Sequence, residues 1–131
     1  MPSLPPTICG VVTEGARGRE IVPVDPRVRD SLCALARRYD HRGVRVFLFG
    51  STARTWPRAP VGADFDLGYE MVRSGGDGDA RRRDLEREVG ELPSIRPVDL
   101  VDFSRVTEAF RTEAAKHIVE LAHEPSAAAT G

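Results

Sequence analysis

The run VRVFLF, Val44 to Phe49, constrains the fold more than any other stretch of this chain. It is short, β-branched and aromatic, and apolar at nearly every position. That pattern fits a strand buried on both faces, not one with a wet side. Such a strand needs neighbours in a sheet and a layer of structure above and below it.

The flanking sequence supplies both. Asp25-Pro26 reads as an N-cap followed by proline at the first helical position, where its missing N–H costs nothing. Val28, Leu32, Leu35 and Tyr39 then recur at helical spacing, and Gly43 marks the stop. Beyond Phe49 come a Gly-Ser pair, a proline-rich loop and a second strand, DFDLGYEMV. The Gly/Asp turn RSGGDGD leads to a helix with Leu85, Val89 and Leu92 on one face, ended by Pro93. PVDLVDF, Pro97 to Phe103, is a third strand, and Val106, Phe110, Ala114, Ile118 and Leu121 trace a last amphipathic helix. The expected fold is α/β or α+β: a small mixed sheet of three or more strands flanked by helices. Residues 1–25 form an N-terminal extension in which TICGVV and REIVPV pair as a hairpin, 26–123 form the domain, and 124–131 are a flexible tail.

Two aspartates interrupt the second strand. Successive strand side chains alternate faces, so Asp64 and Asp66 share one face while Phe65, Leu67 and Tyr69 take the other. Positions two apart lie about 7 Å from each other along the backbone, and carboxylates leaning inward from that base can share hard cations. Unaccompanied they repel, and all-oxygen ligands favour Mg²⁺ or Mn²⁺ over zinc. A DxD alone is more often a turn acid followed by an exposed strand residue with an arginine nearby. Gly50-Ser51, directly after the buried strand, adds to the metal reading, because glycine lets a phosphate approach the backbone and the Ser hydroxyl can donate to it. The loop is no Walker P-loop: GxxxxGK[ST] is absent, and Lys116, the only lysine, is far downstream.

Taken together, GSTARTW, ADFDL and VDLVDF resemble the nucleotidyltransferase superfamily that includes DNA polymerase β, and within it the minimal nucleotidyltransferases of bacteria and archaea. The segment SRVTEAFRTEAAKHIVELAH is similar to the closing helix of that family, and the likeness runs from about Val28 to His123. Three departures stand out: Thr55 where the family has glycine, a wider loop bearing Trp56, Pro57 and Pro60, and Ala63 in place of Ser or Thr before the first aspartate. The resemblance implies a palm-like nucleotidyltransferase fold in which Gly50 and Ser51 hold phosphates. It also implies Asp64, Asp66 and Asp99 as metal ligands and catalytic acids, with Mg²⁺ or Mn²⁺ as cofactor and ATP as substrate. The implied reaction is in-line attack of an acceptor hydroxyl on the α-phosphate with release of pyrophosphate. It further implies a small all-helical HEPN-type partner protein, for which such chains act as antitoxins, in some cases by moving AMP onto a tyrosine.

The remaining residues leave alternatives open. Arg54, three residues after Ser51, either reaches a phosphate or lies on the surface. Asp99 and Asp102 are three apart and point to opposite faces, so only one can join the aspartates. Trp56 either stacks on a base or anchors its loop. His41, His117 and His123 lack metal-ligand spacing, and RRRDLERE suits a solvated helix face. Its alternating charges, with a formal net charge of -1 for the chain, argue against nucleic acid as a partner. Cys9 and Cys33 are far apart and expected reduced. With no signal-like or membrane-length apolar run, the expected location is the cytoplasm. Against the enzyme stands a second expectation, a module of the same fold that binds nucleotide or partner without turnover.

Overall fold

The computed structural model describes residues 20–73, 77–94 and 96–124. In chain order the elements are β1 (Ile21–Pro23), α1 (Pro26–His41), β2 (Val44–Phe49), α2 (Ser51–Thr55), β3 (Arg58–Pro60) and β4 (Phe65–Met71). They continue with α3 (Gly78–Gly90), β5 (Val98–Asp102), α4 (Glu108–Ala114), β6 (Ile118–Glu120) and a closing 3₁₀ turn at Leu121–His123. The class is α+β. A four-stranded sheet has the order β5-β4-β2-β6, and β1 with β3 makes a separate pair. In the main sheet β4 and β5 run parallel, while β2 is antiparallel to both its neighbours.

Side-chain alternation divides the sheet into two unlike faces. Val44, Val46 and Leu48 of β2 join Phe65, Leu67 and Tyr69 of β4 on one face, in a core with Leu32, Leu35, Ala36 and Tyr39 of α1 and Leu85 and Val89 of α3. The start of α1 forms as expected, since the Asp25 carboxylate accepts from the Arg27 N–H at 2.9 Å and Pro26 occupies the first turn. The Tyr39 hydroxyl donates to Glu88 Oε2 at 2.6 Å and ties α1 to α3. On the other face Phe47, Phe49 and Phe103 form a second, smaller cluster under α4, joined by Val101, Ala114 and Ile118. Gly68 lies beneath it: a Cβ there would stand 2.5 Å from the Phe47 ring and 2.6 Å from that of Phe103.

Three expectations need correction. The last helix is not continuous, for α4 ends at Ala114 and Ile118–Glu120 becomes β6 on the edge of β2. The four-residue apolar spacing that suggests a helix there arises because a strand uses both faces: Ile118 meets the phenylalanine cluster while Val119 packs on the main core. Second, a strand, β3, forms within the proline-rich loop and pairs with Ile21–Pro23, in register Ile21 to Pro60; TICGVV, the partner expected for REIVPV, lies outside the described residues. The proline-rich loop is therefore partly a strand, and Val24, inside the expected extension, belongs to the core. Third, Arg81 in RRRDLERE is buried, its Nη1 donating to the carbonyls of Arg42 at 2.8 Å and Arg73 at 3.2 Å. The main sheet's four strands lie within the expected three or more, and β1 with β3 pairs apart from it. Cys33 is a free, buried thiol, and its pKa is raised by that burial. Among the described residues no helix is long and apolar enough to cross a membrane.

Candidate functional site

The parallel pairing of β4 with β5 sets Asp66 and Asp99 side by side in register. Neighbouring strands are about 4.8 Å apart, so the two carboxylates rise from adjacent positions on the face that carries the phenylalanines. Asp64 stands exposed just before β4, and Asp99 is exposed on the edge strand. Burial pushes the half-buried Asp66 carboxyl above its ordinary pKa, and the charges of Asp99 and Asp64 push it further. Among the described residues none of these three acids has an ion-pair or hydrogen-bond partner. Other acids of the same chain are neutralised by arginines, as Glu70 is by Arg45 and Arg111, Glu88 by Arg38, and Asp84 by Arg42.

The same strand ladder brings the Gly-Ser pair to this place. Phe49, the last residue of β2, pairs with Asp66, and Gly50 follows with φ 80 and ψ -157, a backbone state that excludes side chains. Its positive φ strains any other residue, and the Asp66 carboxylate lies close against it, with Oδ2 2.7 Å from where a Cβ would stand. The following turn of α2 exposes Ser51 and Arg54 together, as their spacing predicts.

Beside Gly50, away from the carboxylates, opens a cavity of about 310 Å³. Phe49, Gly50, Ser51 and Arg54 line one side. Phe110 and Glu113 of α4, with His117 after it, line the other. Neither Phe110 nor His117 carries a sequence signal for this place. Phe110 has the spacing of a core residue, and His117 that of an unremarkable surface one.

Asp99, not Asp102, is the β5 acid beside Asp66. Asp102 lies on the opposite face, where its Oδ1 accepts from the Ser104 hydroxyl at 2.6 Å and its Oδ2 pairs with Arg82 at 3.7 Å. Burial raises its pKa, but the Ser104 hydroxyl and N–H and the charges of Arg82 and Arg105 outweigh that and leave it lowered. Trp56 is an anchor: half-buried against the core, its indole N–H donates to Glu124 at 3.1 Å. His41 and His123 lie apart from the site, neither lining the cavity.

The donor chemistry at Asp64, Asp66 and Asp99 suits a hard divalent cation, being all oxygen and carrying uncompensated negative charge. As the side chains stand, no group of three His, Cys, Asp or Glu among the described residues is already gathered to hold one. A cation bound between these carboxylates would offset their mutual repulsion. No protein-family model matches the chain, and no curated protein matches it.

Proposed function

We propose that the chain is a metal-dependent nucleotidyltransferase, of the polymerase β type, that moves a nucleoside monophosphate, AMP from ATP, onto a hydroxyl of a small all-helical HEPN-type partner protein. The observation that carries this reading is the in-register pairing of Asp66 with Asp99 directly against Gly50, with all three acids unpaired among the described residues. The half-buried Asp66 carboxylate stands against the charges of Asp99 and Asp64, and a phosphate-bound cation would offset that repulsion.

Gly50 leaves the backbone open to a phosphate, Ser51 donates a hydrogen bond to it, and Arg54 adds positive charge on the same side of α2. Asp64, Asp66 and Asp99 would hold Mg²⁺ or Mn²⁺, which neutralises phosphate charge and lowers the pKa of the acceptor hydroxyl. Asp99, exposed at the sheet edge, takes the hydroxyl proton as the acceptor oxygen bonds to the α-phosphorus and the bond to pyrophosphate breaks. Its position on an edge strand suits an acceptor presented from outside by a second protein.

ATP with Mn²⁺ should raise the melting temperature, since a ligand that binds only the folded state stabilises it by mass action. Asp64→Asn and Asp66→Asn should each remove the metal-dependent part of that rise. A full metal-dependent rise in both variants would refute the site. Co-expression with a HEPN-type partner should add the mass of AMP to it, and a partner neutralised without that mass, by wild type and Asp66→Asn alike, would leave a non-catalytic binding module.

A further inference from the structure

At the end of the sheet that carries Asp66, the four strands present a row of unlike groups. β5 brings Asp99, β4 brings Asp66, β2 ends at Phe49 with Gly50 after it, and β6 begins at Ile118 with His117 before it. Because Phe49 pairs with Asp66 on one side and with Ile118 on the other, His117 leaves the ladder beside Gly50, on the side away from the acids. Neighbouring strands are about 4.8 Å apart, so the row from β5 to β6 spans roughly 14 Å. Its charge changes sign along that length: carboxylates stand at one end, and Arg54 and His117 at the other.

Arg54 and His117 line the cavity of about 310 Å³ together with Ser51, and among the described residues neither side chain has a hydrogen-bond or ion-pair partner. Glu113 is the acid of that lining, and Lys116 Nζ holds it at 3.0 Å. The floor is apolar, for Phe110 meets Phe49 edge-on at 5.8 Å between ring centroids and Ala114 packs on the same cluster. An anion at this mouth is cut off from water beneath, which strengthens each hydrogen bond that it accepts.

Displacement at phosphorus tells which anion belongs there. In an in-line attack the entering and leaving oxygens lie on opposite sides of the phosphorus. With the acceptor arriving over Asp99 at the sheet edge and the α-phosphate beside Asp66, the leaving group extends across Gly50 toward β6. We propose that the mouth of this cavity seats the leaving pyrophosphate, with His117 and Arg54 binding its terminal phosphate. The acceptor oxygen bonds to the α-phosphorus, its proton passes to Asp99, and the bond from the α-phosphorus to the bridging oxygen breaks. The electron pair stays on that oxygen, and Ser51, Arg54 and His117 offset the charge that builds on pyrophosphate. The nucleoside then lies on the acid side of Gly50, outside the cavity. This assignment rests on the nucleotidyltransferase reading and adds to it a direction for the substrate and a role for His117, which no motif marks.

The test is calorimetric titration of the full chain with pyrophosphate, ATP and AMP, each in Mn²⁺. His117→Ala should weaken pyrophosphate and ATP roughly tenfold and leave AMP unchanged, since AMP lacks the terminal phosphates. His117→Gln keeps a donor and should recover most of that loss. Both substitutions fall on an exposed side chain, so the fold is kept. Glu113→Gln removes negative charge from the same rim and should tighten pyrophosphate. Pyrophosphate bound equally by wild type and His117→Ala, or AMP weakened as much as ATP, would overturn the pyrophosphate seat, while loss of Mn²⁺-dependent ATP binding in Asp66→Asn still upheld the metal site. Mn²⁺-dependent ATP binding that survives Asp66→Asn would overturn the nucleotidyltransferase reading and, with it, the leaving-group role of His117.

Discussion

The two faces of β4 are built from alternate residues of one strand, yet they do different work. Phe65, Leu67 and Tyr69 are at most 3% exposed and lie under α1 and α3, helices of 16 and 13 residues. Asp66, Gly68 and Glu70 face the other way, where the cover is α4, a helix of 7 residues that buries none of its own side chains completely. The thick layer excludes water and holds the sheet. The thin one leaves a cavity and three acids, unpaired among the described residues, within reach of solvent. A strand thus keeps a packed core and a set of unpaired acids on opposite faces of one small sheet.

The largest expected effect is on the thick side. Leu67 is 0% exposed, and Leu67→Ala should lower unfolding free energy by about 2–5 kcal/mol in urea titration, through lost burial plus the cavity left behind. Its neighbour gives the next effect by the opposite cause. Gly68→Ala adds an atom where a Cβ would come within 2.5 Å of the Phe47 ring, and Phe47 is held edge-on by Phe103 at 4.7 Å. Overpacking of this kind costs about 1–3 kcal/mol. If Gly68→Ala were neutral, the thin face would be soft enough to repack and the contrast between the faces would fail.

A smaller effect separates two aspartates by sign. Asp102, held by Ser104 and Arg82, has a pKa below the ordinary 3.8. Its stabilisation is present above pH 3.8 and is lost as pH falls through the lower folded value. Asp102→Asn should therefore cost about 1 kcal/mol at neutral pH. Asp66 is raised above 3.8 by burial and by Asp99 and Asp64, so its stabilising contribution is complete below 3.8 and is lost as pH rises through the folded value. At neutral pH its charge works against the metal-free fold, and Asp66→Asn should melt at a higher temperature than wild type, with the difference closing in acid. Melting curves of both variants across pH in the presence of a chelator check this. A lower melting temperature for Asp66→Asn would mean that the carboxylate has a stabilising partner.

The parts of this molecule legible in its sequence are those governed by one periodicity at a time. Val28, Leu32, Leu35 and Tyr39 trace α1 because a helix buries one stripe, and VRVFLF marks β2 because a central strand is covered on both faces. The pairing of Asp99 with Asp66 follows from alternation together with the resemblance. Failure came where two rules give one pattern. Ile118 and Leu121 sit at helical spacing from Ala114, but that spacing is also met by a strand whose sides both find apolar partners, and the open edge of β2 selects the strand. Arg81 was hidden for another reason: its partners are backbone carbonyls, which leave no trace in side-chain identity. The cavity was hidden likewise, since Phe110 and His117 come to line it with Phe49 only through the turn between α4 and β6.

The smallest effect carries the comparison into α2, a helix of 5 residues with one side in the core and one at the site. Thr52 is 0% exposed, and its hydroxyl has no hydrogen-bond partner among the described residues. A hydroxyl withdrawn from water without a partner opposes folding, while valine fills nearly the same shape and has a similar helix propensity. Thr52→Val should raise stability by up to about 1 kcal/mol and leave ATP binding as it is. Ser51→Ala, one residue earlier and exposed, should leave stability within about 0.5 kcal/mol and weaken ATP, because its hydroxyl faces the cavity rim and not the core. Urea titration and calorimetry on the two variants would give the two columns of that contrast. If Thr52→Val lost stability, the threonine hydroxyl would have a partner inside the protein. If it also lost ATP, α2 would be a single unit joining core to site, and the separation of the two faces would end at Phe49.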